Sequence, residues 1–165
     1  MPYSIEVRFD PACEAAIIAL WQQAAEFYGS DYMLVHGVIP HVALIVSEED
    51  LSAVFAHCAL RTTAVTFADL GFFAGGSIAH LAVDRALHDL QRACYHTART
   101  LGLPIDPYYT PDTWIPHCTL AQQASRNVGV PLRCAVPCSA TATSLILVRY
   151  PPTTLLSEKA AEPPA

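Results

Sequence analysis

VIPHVALI at residues 38–45 and WIPHCTLA at residues 114–121 share the pattern Ile-Pro-His-x-x-Leu. Their histidines, His41 and His117, lie 76 positions apart (117 − 41) in a chain of 165 residues. In each copy a proline precedes the histidine, and a short apolar run typical of a buried strand follows it. The repeat therefore predicts two similar halves, each with one histidine at the start of a strand.

The composition predicts one domain without a membrane partner. Hydrophobic residues make up 53% of the chain, charged residues 15%, and the formal net charge is −6. A long nucleic-acid track needs clustered Lys and Arg, which this balance argues against. No apolar run approaches the roughly 18 residues of a membrane span, and the N-terminus has no signal-peptide pattern. We expect a cytoplasmic monomer.

Alternating and helical patterns follow one another in both halves. The order of elements predicts the α+β class with antiparallel strands. Residues 1–150 are expected to form a single domain of two lobes, and residues 151–165, rich in Pro, Thr, Ala and Glu, a flexible tail. The patterns predict strands at 4–9, 41–46, 61–73, 77–83 and 139–148. They also predict helices at 12–28 (with Asp10 as the cap and Pro11 at the first position), 48–59 (capped by Ser47) and 85–100.

The strand period of two predicts where the motif side chains point. His41 shares a face with Ala43, and His117 shares a face with Thr119, whereas the intervening residues face the core. Two similar lobes would bring the histidine faces together across a cleft. Paired imidazoles suit displacement at phosphorus, because one takes a proton from the attacking oxygen while the other gives one to the leaving oxygen. Such chemistry needs no metal, and we expect no cofactor.

The cysteines do not change that expectation. All six are scattered without a Cys-x-x-Cys pair, which favours reduced, mostly buried thiols. Cys134 and Cys138 could supply two zinc ligands, but a structural site needs four and no partner pair has a familiar spacing.

A Pro-rich loop over residues 104–116 precedes the second motif and carries Tyr108, Tyr109 and Trp114. Aromatic faces of this kind can stack against nucleic-acid bases. They can equally pack the loop against the sheet. The sequence leaves both interpretations open.

These features resemble the two-histidine (2H) phosphoesterases, which include the 2′-5′ RNA ligase-like proteins and cyclic nucleotide phosphodiesterases and carry His-x-Thr/Ser-x twice. PHVAL, LGFFAGG, IAHLAV and DTWIPHCTLA are similar to a cyclic phosphodiesterase subgroup, and the similarity covers most of residues 3–150. The resemblance implies a bilobal, pseudo-symmetric fold with two antiparallel β-sheets flanked by helices around a central cleft. His41 and His117 would lie in that cleft.

The resemblance also implies an activity: metal-independent hydrolysis of a ribose cyclic phosphate, such as a nucleoside 2′,3′-cyclic phosphate, to a phosphomonoester. His41 and His117 would be the catalytic acid and base, in an order that stays open, and Thr119 would donate to a phosphoryl oxygen. Tyr109, Trp114 and Gln122 are candidate substrate contacts. The expected partner is a small nucleotide or a short RNA terminus, and the acidic balance disfavours ligation of tRNA-sized substrates.

Two residues depart from the family pattern. Ala43 stands where the first motif usually has Thr or Ser, so one phosphate-binding hydroxyl is missing. Gln122 and Gln123 follow the second motif where several relatives have a cation. The second hypothesis is therefore a catalytically weak or inactive protein that binds nucleotides or RNA ends.

Overall fold

The structure, a computed structural model, describes residues 1–73, 77–82, 84–122 and 138–164. Within these residues seven strands and four α-helices confirm the predicted α+β class. In chain order they are β1 (Tyr3–Phe9), α1 (Pro11–Tyr28), α2 (Tyr32–Val35), β2 (His41–Ser47), α3 (Ser52–His57), β3 (Thr63–Phe73), β4 (Ser77–Ala82), α4 (Arg85–Thr100), β5 (His117–Ala121), β6 (Cys138–Arg149) and β7 (Thr154–Ala160), with a 3₁₀ turn at Pro107–Tyr109.

Every pair among the described strands is antiparallel, and β6 joins the two halves into one sheet. The strand order is β2-β1-β6-β3-β4-β5. Along one edge β6 pairs with β1; along the other its first part pairs with β3 and its second part with β7. The two strand groups expected from the sequence are therefore connected by the hydrogen bonds of this long strand.

The start of α1 has the predicted cap. The Asp10 carboxylate accepts a hydrogen bond from the backbone N–H of Cys13 at 3.0 Å, and Pro11 occupies the first helical position. Gly29 ends the helix with φ 65°, a left-handed conformation that glycine adopts without a steric cost. These residues set where α1 begins and ends.

The helix expected at residues 48–59 is shorter in the structure and begins later, at Ser52. Ser47 was wrongly predicted as its cap. The Ser47 hydroxyl accepts from the backbone N–H of Glu49 at 3.0 Å and donates to the Pro104 carbonyl at 2.6 Å. Its bonds form a turn and anchor the loop before β5, and Asp50 instead accepts from the N–H of Ser52 at 2.7 Å.

The prediction of a flexible tail is wrong for Thr154–Ala160, because β7 pairs with β6 over residues 144–149. Polar side chains also fasten this strand. Glu158 accepts from the Ser144 hydroxyl at 2.6 Å and from Arg8 at 3.1 Å. Lys159 donates to the Phe55 carbonyl at 2.7 Å. A polar sequence is compatible with an edge strand that faces solvent.

β2 and β5 lie at opposite ends of the strand order yet contact each other, so the sheet bends around a cleft. Two tryptophans connect these strands to the opposite halves of the chain. Trp21 of α1 donates its indole N–H to the Thr119 carbonyl at 2.9 Å. Trp114 donates to the Ala43 carbonyl at 3.0 Å. Thr119 and Ala43 hold equivalent positions in the two motifs.

Two parts of the sequence-based interpretation lie outside the described residues: the Gly75-Gly76 turn and most of the uncertain segment 122–138. Where the chain is described, no helix is both long and apolar enough to cross a membrane.

Candidate functional site

The two motifs line one cleft at the meeting of β2 and β5. His41 and Ala43 contribute from β2, and His117 and Thr119 from β5. The intervening Cys118 is 1% exposed, as the strand period predicts. The cavity volume of the cleft is about 130 Å³, enough for several waters and thus for a small polar ligand.

Both motif histidines are held in the same way. Nδ1 of His41 lies 2.6 Å from the Ile39 carbonyl, and Nδ1 of His117 lies 2.7 Å from the Ile115 carbonyl. Since a carbonyl oxygen only accepts, Nδ1 carries a hydrogen in both rings. Nε2 is then the nitrogen available for proton transfer. The repeated Ile-Pro-His sequence thus orients each ring through the residue before the proline.

His117 lies in the more apolar surroundings. Its ring centroid is 4.6 Å from that of Phe73 and 6.2 Å from that of Tyr108. Burial lowers the pKa of His117, the Ile115 carbonyl partly opposes this, and the charge of His41 lowers it further. His117 is therefore neutral near pH 7 and able to accept a proton.

The lowered pKa of His117 can be tested by NMR. The ring resonances of His117 should titrate with a midpoint below the ordinary histidine value of about 6.5, because the folded protein disfavours the charged ring. A pH titration of the ring protons checks this, with the variant His117→Gln identifying the signal. A midpoint above that value would contradict the burial argument.

Of the three candidate substrate contacts, Tyr109 and Gln122 line the cleft and Trp114 does not. Burial raises the pKa of Tyr109, so its hydroxyl stays protonated and can donate. Gln122 is fixed through its backbone, whose N–H donates to the Ser30 hydroxyl at 3.1 Å.

Trp114 does not belong with them. It is 4% exposed, packs edge-on against His88 at 5.2 Å and is not among the residues of the cleft. Of the two interpretations left open by the sequence, the structure places Trp114 in loop packing.

Several cleft residues were missed in the sequence. Glu6 lies 3% exposed with Oε2 3.4 Å from Nδ1 of His41. The alternation of β1 placed Glu6 on the face opposite Ile5 and Val7, which was a usable signal, but a polar face is ordinarily a solvated one. The bend of the sheet instead turns this face into the cleft. The other missed lining residues include Tyr32, His36, Tyr150 and Thr153.

Within the described ranges no three side chains of His, Cys, Asp or Glu gather in a way that could hold a metal ion. Cys134, one of the two cysteines considered for zinc, lies outside those ranges.

No protein-family model and no curated protein matches this sequence. Solved structures match over nearly the whole chain. Escherichia coli LigT in complex with 3′-AMP has a TM-score of 0.68 and 18% identity, covering 98% of this chain and 99% of that one. TT0787 of Thermus thermophilus has a TM-score of 0.68 and 14% identity, covering 100% of both chains.

A structure named only as a phosphoesterase has a TM-score of 0.67 and 19% identity, and the match covers 97% of both chains. These similarities concern the fold. They agree with the bilobal arrangement implied by the resemblance to the two-histidine phosphoesterases. The chain therefore has the fold of E. coli LigT and of this phosphoesterase, as that resemblance predicted.

Proposed function

We propose that the protein is a phosphoesterase that hydrolyses a ribose cyclic phosphate, such as a nucleoside 2′,3′-cyclic phosphate, to a phosphomonoester without a metal. The observation that carries this proposal is the pair of imidazoles, His41 and His117, in one cleft with both Nδ1 atoms bonded to carbonyls. Such rings offer Nε2 for proton transfer, as acid–base catalysis requires.

In the proposed reaction water attacks phosphorus as one imidazole takes its proton. The bond from phosphorus to a ribose oxygen breaks, and the other imidazole gives that oxygen a proton. Thr119, on the same strand face as His117, donates its hydroxyl to a phosphoryl oxygen whose charge grows in the transition state. Tyr109 and Gln122 would contact the rest of the substrate.

The fold supports a small nucleotide or a short RNA terminus as the ligand, and the cleft of about 130 Å³ is of a size to hold its phosphate group. LigT, which has the same fold, was crystallised with 3′-AMP. Because β7 belongs to the sheet, we propose that the single domain includes the elements from Tyr3 through Ala160.

The test is an assay of the purified protein with nucleoside 2′,3′-cyclic phosphates in the presence of EDTA. Turnover that survives chelation and is absent from the double variant His41→Ala/His117→Ala supports the proposal. Turnover that the double variant retains would refute it.

Ala43 motivates a second candidate, a nucleotide or RNA-end binder with little or no catalysis. The residue lines the cleft where the family pattern has a hydroxyl. Binding of a nucleoside 2′,3′-cyclic phosphate without turnover in the same assay would favour this candidate.

Restoring the missing hydroxyl gives a further prediction. Ala43→Thr should raise kcat by up to about 10²-fold, because a donor lost from a comparable site typically lowers the rate by about 10²–10³-fold. The matched control is Ala43→Val, which has the shape of threonine without its hydroxyl. Equal rates for the two variants would place the phosphate elsewhere in the cleft.

A further inference from the structure

The two motif histidines have different neighbours despite their equivalent positions. Next to His41, Oε2 of Glu6 lies 3.4 Å from Nδ1, and the side chains of His41 and Glu6 are 19% and 4% exposed. Around His117 the ring neighbours are Phe73 and Tyr108, and in the described part of the chain His117 forms no ion pair. Among the described residues, a carboxylate thus lies within ion-pair distance of His41 but not of His117.

Strand pairing explains why Glu6 reaches His41. Glu6 of β1 is directly opposite Ala43 of β2, and directly opposite residues project from the same face of a sheet. His41 lies two residues from Ala43 on that face and is therefore a diagonal neighbour of Glu6. The contact is a consequence of the register between the two strands.

The protonation state of the buried Glu6 carboxyl depends on the charge of His41. Burial raises the pKa of Glu6, and the charge of His41 opposes part of this rise. Among the described residues, Tyr109, Cys118 and Tyr150 also interact electrostatically with Glu6, and burial raises the pKa of all three. These three groups stay neutral near pH 7. Arg8, on the same face of β1, is directly opposite His41 but pairs with Glu14 at 2.8 Å and Glu158 at 3.1 Å. His41 is thus the neighbour whose positive charge can balance a buried carboxylate.

Building on the proposed function, we propose that Glu6 is a positioning residue that makes His41 the proton donor to the leaving ribose oxygen. His117 is then the proton acceptor. In this sequence Nε2 of His117 takes a proton from water as the new P–O bond forms. The P–O bond to ribose breaks, and Nε2–H of His41 protonates the departing oxygen. Proton exchange with solvent then restores both rings.

Analogues with bridging sulfur test this assignment. A nucleoside 2′,3′-cyclic phosphate in which sulfur replaces O2′ or O3′ releases a thiolate, which is stable enough to leave without a proton. Loss of the proton donor therefore lowers the rate less for the sulfur analogue than for the oxygen substrate. Loss of the proton acceptor lowers the rate of both.

We expect Glu6→Gln to lower kcat for the oxygen substrate at least about 10-fold. For the analogue in which sulfur is the leaving atom, the same variant should lower kcat much less. His41→Ala should show the same rescue, and His117→Ala should stay slow with both substrates. Glu26→Gln, on the exposed side of α1, is the matched control and should behave as wild type.

Equal losses on both substrates for Glu6→Gln, or rescue of His117→Ala instead of His41→Ala, would overturn the assignment. A wild-type protein that turns over neither substrate would overturn the proposed function along with it. If Glu6→Gln does not fold, Glu6→Asp keeps the carboxyl but moves it away from the ring and should show the same sulfur rescue. An unrescued loss in this variant counts against the proposal.

Discussion

The variant His117→Ala is expected to lower kcat/KM for a nucleoside 2′,3′-cyclic phosphate by about 10²–10⁴-fold, the range over which a positioned acid or base contributes. His117 is neutral near pH 7 because burial lowers its pKa, and its Nδ1 is bonded to the Ile115 carbonyl. In the proposed reaction, removing the ring leaves the attacking water without its proton acceptor. Initial rates over a range of substrate concentrations measure the loss.

The matched control is His96→Ala. His96 is exposed on α4, and its substitution should leave the rate within about twofold of wild type. Thermal unfolding of both variants separates a chemical effect from a loss of fold. A rise in KM with an unchanged kcat for His117→Ala would indicate a binding role and contradict the assignment.

The largest effect on stability is expected from Trp114→Ala, which should lower the free energy of unfolding by about 3–5 kcal/mol. Trp114 is 4% exposed and donates its indole N–H to the Ala43 carbonyl at 3.0 Å. The variant loses buried apolar area, leaves a cavity and deprives that carbonyl of its donor. Urea denaturation monitored by circular dichroism measures the change.

Two further variants separate the causes. Trp114→Phe keeps most of the ring but removes the N–H donor, and we expect about 1–3 kcal/mol from the unsatisfied carbonyl. Ile115→Ala changes a side chain that is 44% exposed and should shift stability by less than about 1 kcal/mol. A loss of under about 1 kcal/mol in Trp114→Ala would show that the loop does not depend on this residue.

Local chemistry made much of the fold predictable. Asp10 and Pro11 carry a capping signal that depends on neighbouring atoms alone, and the helix begins where they indicate. The faces of β2 and β5 follow from a strand period of two, which placed His41 and His117 before any tertiary information was needed. Features that depend on residues close to one another in the chain can therefore be predicted from the sequence.

Features that depend on distant contacts were not predictable in the same way. Glu6 was missed, because alternation does not reveal that the sheet bends and covers the polar face of β1. β7 was interpreted as a tail, because its stability comes from pairing with β6 and not from its own composition. Trp114 fitted stacking and packing equally well until the position of Ala43 relative to the loop was known.

The indole hydrogen bonds of Trp21 and Trp114 connect the two halves of the chain. Each motif strand receives one of these bonds from a residue that belongs to the opposite half of the chain. Each half thus supplies a donor for a backbone carbonyl in the other half's histidine strand, although the two sequences look like independent copies. We therefore expect the two halves to unfold together in one cooperative transition.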